Sequence, residues 1–465
     1  MRYDAAIIGA GTNGLAAAAM LARAGLRVAV FERAERVGGR CTTREFHPGF
    51  RASPFCDEIA PIPAAIFRAL DLARHGAIFM PPAGGNHFHA EIQKRIAEHC
   101  FHALESAKQP QKRDWLSRSA RPAPWHREPW STRSLSDVLE EALPDEKSRT
   151  LALATALDGR AVDSERGGSA LHLLAPRAGS GVTMGGLETV ADALRSSAQA
   201  AGAVLSLGLE VSDIRLAKRR ATGIRLADGT EVEARAVIST LDLKRTFLAL
   251  FAWKELPEAV VRCTSAFRHA PAGARLLLAL DAPPDLPEGP VSLPSFSAAQ
   301  AYAAWRTGTV PDPPPMTLRW VSAADPRLAP AGKAVLTATL GAVPYQLFDG
   351  AWTNEKRTAL RERALAQIEA VLPGLSARVL AAELIVPPDI EETLGATQGD
   401  LDGGEVAPDQ MFAQRGFAQC DAGRTPIRGL YLGGRSAPAG PLGSCVSGVV
   451  AARALMRDLA GGQLR

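Results

Sequence analysis

The stretch that most constrains this chain is residues 3–40, YDAAIIGAGTNGLAAAAMLARAGLRVAVFERAERVGGR. A short apolar run over 5–8 reads as a buried strand, and it breaks into Gly9-Ala10-Gly11-Thr12-Asn13-Gly14. An alanine-rich helix follows to about residue 24, where Gly25 ends it. Residues 27–31 read as a second strand, and Glu32 stands at its end. Strand, glycine turn, helix, strand and acid in that order make a dinucleotide-binding βαβ unit. Gly9 makes the tight turn, Gly11 lets a pyrophosphate approach the backbone, and Gly14 lets the helix pack on the strand. The N–H groups and dipole at the helix start hold phosphate charge. Glu32 is placed to accept hydrogen bonds from a ribose diol, which a bare glycine-rich turn would leave unexplained. The unit alone does not decide between NAD and FAD.

Length and composition bound the rest. The chain has 465 residues, 46% hydrophobic and 22% charged, the range of globular proteins, and is long enough for two or more domains. A net charge of +4, with no basic block interleaved with aromatics, makes nucleic acid an unexpected partner. The cysteines (Cys41, Cys56, Cys100, Cys263, Cys420, Cys445) are scattered without a CxxC pair, as fits a reducing, cytoplasmic location. The first strand begins too early to leave room for a signal peptide. No apolar run approaches the ~18–20 residues of a spanning helix. Peripheral membrane contact stays open.

Further along, a helix is expected at 63–74, and 81–135 is a polar, proline-rich arm with helical spacing over 90–107. Helices are also expected at 134–143 and 147–157. Met184-Gly185-Gly186 opens an amphipathic helix to about 201. Strands follow at 204–207, 210–216, 221–226 and 231–233, and 236–240 returns to the first sheet. Gly179, Gly181 and Gly185, followed by helix, strand and Glu210, mimic a second dinucleotide site. Pro176 sits where the incoming strand should end, however, and proline is poor in a central strand. From about 251 the pattern gives strands at 274–280, 316–321, 333–340 and 378–386 and a helix at 354–372. This is a mixed sheet with helices, suited to cover a ligand. Residues 429–434 form a strand ending in a glycine pair, 440–448 a loop, and 449–459 a helix whose N-terminus faces a second anionic centre.

The VGGR run after Glu32 resembles the extended fingerprint of amine-oxidase and phytoene-desaturase flavoproteins. Similar motifs recur along most of the chain: HPGFRASPF, MGGLETVADAL, ADGTEVEARAVIST, VPYQLFDGAW, GGEVAPDQMF and RTPIRGLYLGG. The chain therefore resembles the phytoene-desaturase-related flavoproteins of the amine-oxidase-like superfamily. The resemblance implies an α/β fold with a discontinuous Rossmann-like FAD-binding domain (1–75, 180–250 and 411–465). Into it is inserted an α+β substrate domain (76–179 and 251–410) built on a mixed sheet. It implies FAD, held non-covalently by Gly9, Gly11, Thr12, Asn13, Gly14 and Glu32 together with Arg33, Gly39, Arg40, Met184, Gly185, Val211, Gly433, Gly434, Val446 and Val449. It also implies an FAD-dependent oxidoreductase (dehydrogenase, oxidase or desaturase) that passes a hydride from a small organic substrate to flavin N5. Dioxygen, a quinone or a protein would reoxidise it. A redox-neutral flavin isomerase, or a flavin-binding protein acting through a protein partner, are the alternatives. Gly403 replaces a family histidine, and Arg435-Ser436-Ala437-Pro438 replaces a His-Pro-Gly-Gly run, both near the reactive face. The short polar arm favours a smaller or more polar substrate than a long polyene.

Hydride transfer needs orientation and a dry pocket more than a dedicated acid or base. Arg435, Arg177 and Glu405, with Gln410 beside them, are the pocket candidates. Arg435 would bind an acidic substrate or reduced flavin, unless it is structural. His87, His89, His99 and His102 lack an acidic or cysteine partner at a defined spacing, so no metal is expected. Cys445 lies where a covalent flavin link would form, although a small buried cysteine is the default. Trp125 and Trp130 read as packing anchors of the arm.

Overall fold

The computed structural model describes residues 2–80, 132–174, 182–293, 297–411, 414–417 and 421–464. Arg177, Gly179, Gly181, the four arm histidines, Trp125, Trp130, Cys100 and Cys420 lie outside these. The fold is α/β. Its first sheet has seven strands in the order Val204–Ser206, Val28–Phe31, Tyr3–Ile8, Glu231–Ser239, Arg220–Leu226, Val211–Ala217, with Leu430–Leu432 also on Glu231–Ser239. Parallel pairing joins Ala5 to Val28 and to Ala236, Ala29 to Val204, and Val237 to Leu430. The glycine turn thus stands at the carboxyl end of a central parallel strand, where such sheets bind ligands.

The segments expected at 231–233 and 236–240 form one strand, Glu231–Ser239. Its first part pairs antiparallel with Arg220–Leu226, and its second lies parallel between Tyr3–Ile8 and Leu430–Leu432. The sequence pattern changes midway because the partners change: an edge-like, half-exposed hairpin becomes a central strand buried on both faces. Helices Thr12–Arg23, Glu188–Ala200 and Val446–Ala460 cover one face of this sheet. Ala16, Ala17, Ala18 and Ala19 are all fully buried, and their small side chains bring the helices close. On the other face Phe247 stacks on Phe251 and meets Phe417 edge-on. The last helix starts three residues before its expected position, because Gly448 is a close-packing residue and not a helix breaker. A Cβ there would stand 1.9 Å from the Asn13 carbonyl oxygen.

The second sheet runs Val291–Leu293, Met316–Trp320, Ala334–Leu340, Ala274–Leu280, Val379–Ile385. A mixed pairing was expected here, but every adjacent pair is antiparallel; the mixed sheet is the first one. The Asn354–Val371 helix does cross over between two strands of like direction. Ala274–Leu280 lies between those strands and pairs antiparallel with both. Leu360, Ala364 and Ile368, at helical spacing, are fully buried in the core under that helix. Among the described residues no helix is long and apolar enough to cross a membrane.

Candidate functional site

The glycine turn separates into positions the protein uses itself and one it leaves open. A Cβ on Gly14 would lie 2.0 Å from the Gly9 carbonyl oxygen, so only glycine lets the helix sit on this turn. Gly9 has a φ of 97° and lies against the Thr240 hydroxyl. At Gly11 a Cβ would meet only the Gly38 carbonyl oxygen, at 3.9 Å, while a Cβ on Gly39 would lie 3.5 Å from the Gly11 Cα. The two loops are joined there by the Gly38 N–H donating to the Ala10 carbonyl at 2.9 Å. Gly11 and Gly39 therefore lie against one another as bare backbone, and the slot beside them is the space a Gly11 side chain would take. The Thr12–Arg23 helix, with Thr12 and Asn13 in its first turn, starts on this slot. Among the described residues no side chain caps it, and its first turn carries no acid.

Arg40 follows Gly39 in the chain, and its buried guanidinium lies near Cys41, Cys56 and Asp402. Its Nη1 reaches the Leu401 carbonyl at 3.4 Å, and Nη2 is buried with no hydrogen-bond partner among the described residues. A buried donor without an acceptor is costly, and a phosphate oxygen is the acceptor this setting suits. The Glu32 carboxylate accepts from the Ala10 N–H at 2.8 Å and the Ala34 N–H at 3.0 Å. It lines a cavity of about 370 Å³ with Gly9, Arg33, Val211, Arg245 and Gly395. These features fit a dinucleotide: bare backbone and an open helix end for the diphosphate, an acid beside a nucleoside-sized hollow.

Other expected residues are placed differently. The Arg33 guanidinium donates to the Glu392 and Thr393 carbonyls at 2.8 and 2.7 Å. Gly433 and Gly434 serve packing: added Cβ atoms would stand 2.7 Å from the Ile238 side chain and 2.3 Å from the Thr240 carbonyl. Val446 and Val449 are fully buried in the core behind the first helix. After Met184, the N–H groups of Gly185 and Gly186 donate to the buried Asp325 carboxylate at 2.5 and 3.0 Å. These two N–H groups are thus committed within the protein.

Arg435 lies 3.0 Å from Asp402, which also pairs with the buried Arg160 at 2.8 Å. Glu405 and Asp409 pair with Arg268 at 2.5 and 2.7 Å, and Gln410 accepts from the Arg268 N–H. Sequence reasoning missed Arg415, which is fully buried and donates to the carbonyls of Asp402, Gly404, Glu405, Gln410 and Arg435. It locks the 402–410 loop to the strand end at 435, and nothing local in its surrounding sequence signals that. Also missed were Asp57 and Glu58, which meet Arg275 (2.5 Å) and Arg319 from the second sheet. The signal was present: an arginine inside the apolar run ARLLLAL requires a buried partner. Two small cavities of about 50 and 40 Å³ flank these pairs and share Cys56.

Cys41, Cys56 and Cys445 are buried free thiols. Burial first, then the neighbouring Cys56, pushes the Cys41 thiol up to about 12, against the pull of Arg40 and Arg435. Burial raises Cys445 as well. Both stay protonated at neutral pH. Among the described residues no group of three or more His, Cys, Asp or Glu side chains is arranged to hold a metal.

A dinucleotide-type glycine turn on a mixed sheet, joined to a second, antiparallel sheet, places the chain in the α/β dinucleotide-binding class. The model for flavin-containing amine oxidoreductases matches residues 79–393, and that for NAD(P)-binding Rossmann-like domains matches 7–72. The chain belongs to the flavin-containing amine oxidoreductase family, in its phytoene-desaturase-related part, and is a flavin-dependent oxidoreductase. It is 27% identical to pyridine nucleotide-disulfide oxidoreductase domain-containing protein 2 of Rattus norvegicus, over 98% of this chain and 94% of that protein. It is 26% identical to phytoene dehydrogenase of Streptomyces griseus, over 88% and 86%. In fold it is similar to an oxidoreductase from Methanosarcina mazei (TM-score 0.58, 20% identity, 99% of this chain and 100% of that one). A putrescine oxidase gives a TM-score of 0.57 at 18% identity, covering 100% of both chains.

Proposed function

We propose that the chain binds FAD without a covalent link and removes a hydride from a compact, polar organic substrate. The observation that carries this reading is the bare backbone of Gly11 and Gly39 at the uncapped start of the Thr12–Arg23 helix, with the buried Arg40 Nη2, unpaired among the described residues, on the next residue of the chain. Bound flavin supplies a hydride acceptor at N5. In this reading residues 1–75, 180–250 and 411–465 hold the cofactor, while 76–179 and 251–410 hold the substrate. Glu32 keeps its carboxylate at the ribose end through the Ala10 and Ala34 N–H groups. The protonated state of Cys41 and Cys445 speaks for non-covalent binding, since the thiolate is the nucleophile. A hollow of about 500 Å³ is lined by Arg166, Lys244, Arg268, His269 and Glu405, and a hydrocarbon chain offers such groups no solvation, which supports a polar substrate over a polyene. Dioxygen, a quinone or a protein takes the electrons onward. The free thiols at Cys41, Cys56, Cys263 and Cys445 fit a cytoplasmic setting.

The test is to release the cofactor from purified protein by heat and weigh it, then to mix loaded protein anaerobically with panels of small amines, alcohols and unsaturated acids. Release of FAD into solution and bleaching of the yellow colour by one class are expected. A folded protein that cannot be loaded with FAD would overturn the reading.

A further inference from the structure

The cavity beside Glu32 is bordered in part by a segment of the chain that belongs to the second sheet. The helix Pro387–Leu394 follows directly after the strand Val379–Ile385 and ends at Gly395, which has a φ of 67°. Leu394 and Gly395 line the cavity opposite Gly9, Glu32 and Val211. Two arginines govern this wall. Arg33 donates both to the Glu392 and to the Thr393 carbonyl, satisfying acceptors that a helix end otherwise leaves open. Arg245 lies flat against Gly395: its Nη2, Cζ and Nε stand 3.2, 3.4 and 3.5 Å from where a Cβ on Gly395 would be. The Arg245 guanidinium is half-buried, lines the cavity, and makes no hydrogen bond or ion pair among the described residues. A second strut holds the two parts in register, with the Asp242 carboxylate accepting from the Arg245 N–H (2.9 Å) and from the Thr397 N–H and hydroxyl (3.0 and 2.8 Å).

An uncommitted guanidinium over a hollow that carries Glu32, Arg33 and Glu210 on its rim but also Val211, Leu241, Leu250 and Leu394 suits the face of an aromatic base. We propose that Arg245 and the Leu394–Gly395 helix end clamp the adenine of the dinucleotide, with Arg33 as the positioning residue that holds that wall in place. Flavin retention then depends on contact between the two sheet-bearing parts, and the site selects an adenine dinucleotide over a mononucleotide. The proposal rests on the FAD reading above.

Flavin-stripped protein titrated calorimetrically with ADP, FAD and FMN separates the two. ADP carries the adenosine and diphosphate, and FMN lacks the adenine. In Arg245→Met, affinity for ADP and FAD should fall about tenfold, as expected for losing a partly desolvated cation over an aromatic ring, while FMN binding is unchanged. Arg33→Ala should act in the same direction, and Arg33→Lys should recover part of the loss by restoring one donor to the helix end. ADP binding in both Arg245→Met and Arg33→Ala within about twofold of the parent would overturn the clamp while leaving the FAD reading intact. So would FMN affinity falling as much as that for ADP. A parent protein that takes FMN but not ADP would overturn the clamp and the FAD reading together. Should Arg33→Ala not fold, Arg245→Met decides alone, since its guanidinium has no polar partner to lose.

Discussion

Two glycines three residues apart differ in how much room the fold leaves them. At Gly14 a methyl group would be driven to 2.0 Å from the Gly9 carbonyl oxygen, and the backbone must move to admit it. At Gly11, with a φ of −73°, ordinary backbone meets nothing closer than 3.9 Å. Gly14→Ala should lower stability by about 1–3 kcal/mol or more, the cost of overpacking a tight contact. Gly11→Val should melt within a few degrees of the parent but purify colourless, because its side chain fills the slot. Thermal melts of the flavin-stripped proteins beside the absorbance of the loaded ones check both. A yellow Gly11→Val protein would remove that residue from the site. The packing role of Gly14 was legible in the sequence because it follows from local spacing. The placement of Arg33 was not: the pattern aimed it at the cofactor, whereas its partners lie some 360 positions away.

Single elements show where a local pattern misleads. Gly185 and Gly186 introduce the helix Glu188–Ala200 as a glycine-rich anion cradle would, and the sequence offers no reason to prefer one anion over another. The structure fills the place with Asp325, a carboxylate from the end of a short helix in the second-sheet part. Asp325 is fully buried and also holds Arg327, so the contact ties the start of the Glu188–Ala200 helix to the Met316–Trp320 side of the molecule. Asp325→Ala would leave two backbone donors buried without acceptors and should cost about 2–5 kcal/mol, with Asp325→Asn costing less because one acceptor remains. Urea unfolding monitored by far-ultraviolet circular dichroism measures this. A loss under about 0.5 kcal/mol would mean water replaces the carboxylate easily. Arg415 is illegible for a related reason: its acceptors are carbonyls, which every residue carries.

At the scale of the whole molecule, the first sheet was readable because its strands, turns and crossover repeat a known local grammar. The pairing of the second sheet and its junction with the first were not. That junction depends on which charges meet across more than 200 positions, as Asp57 and Arg275 do. Burial by itself would push the Asp57 carboxyl up; Arg275, aided by Arg319 and the Thr337 hydroxyl, overcomes this and holds it below the usual carboxylate range. A carboxyl depressed in the folded state stabilises it fully above the unfolded value, about 3.9, and this contribution is lost as pH falls through the lower folded value. Melting temperature should therefore decline below about pH 4 as this pair titrates. Arg275→Met leaves the buried Asp57 carboxylate with only the more distant Arg319 and the Thr337 hydroxyl, and should cost up to about 3–5 kcal/mol at neutral pH. Asp57→Asn should also be less stable than the parent at neutral pH. Its curve must run flatter in acid, so that the two approach one another toward pH 2. Parallel curves for parent and Asp57→Asn would show that the acid sensitivity arises elsewhere, and that the loop over 53–60 is held to the second sheet by packing and not by charge.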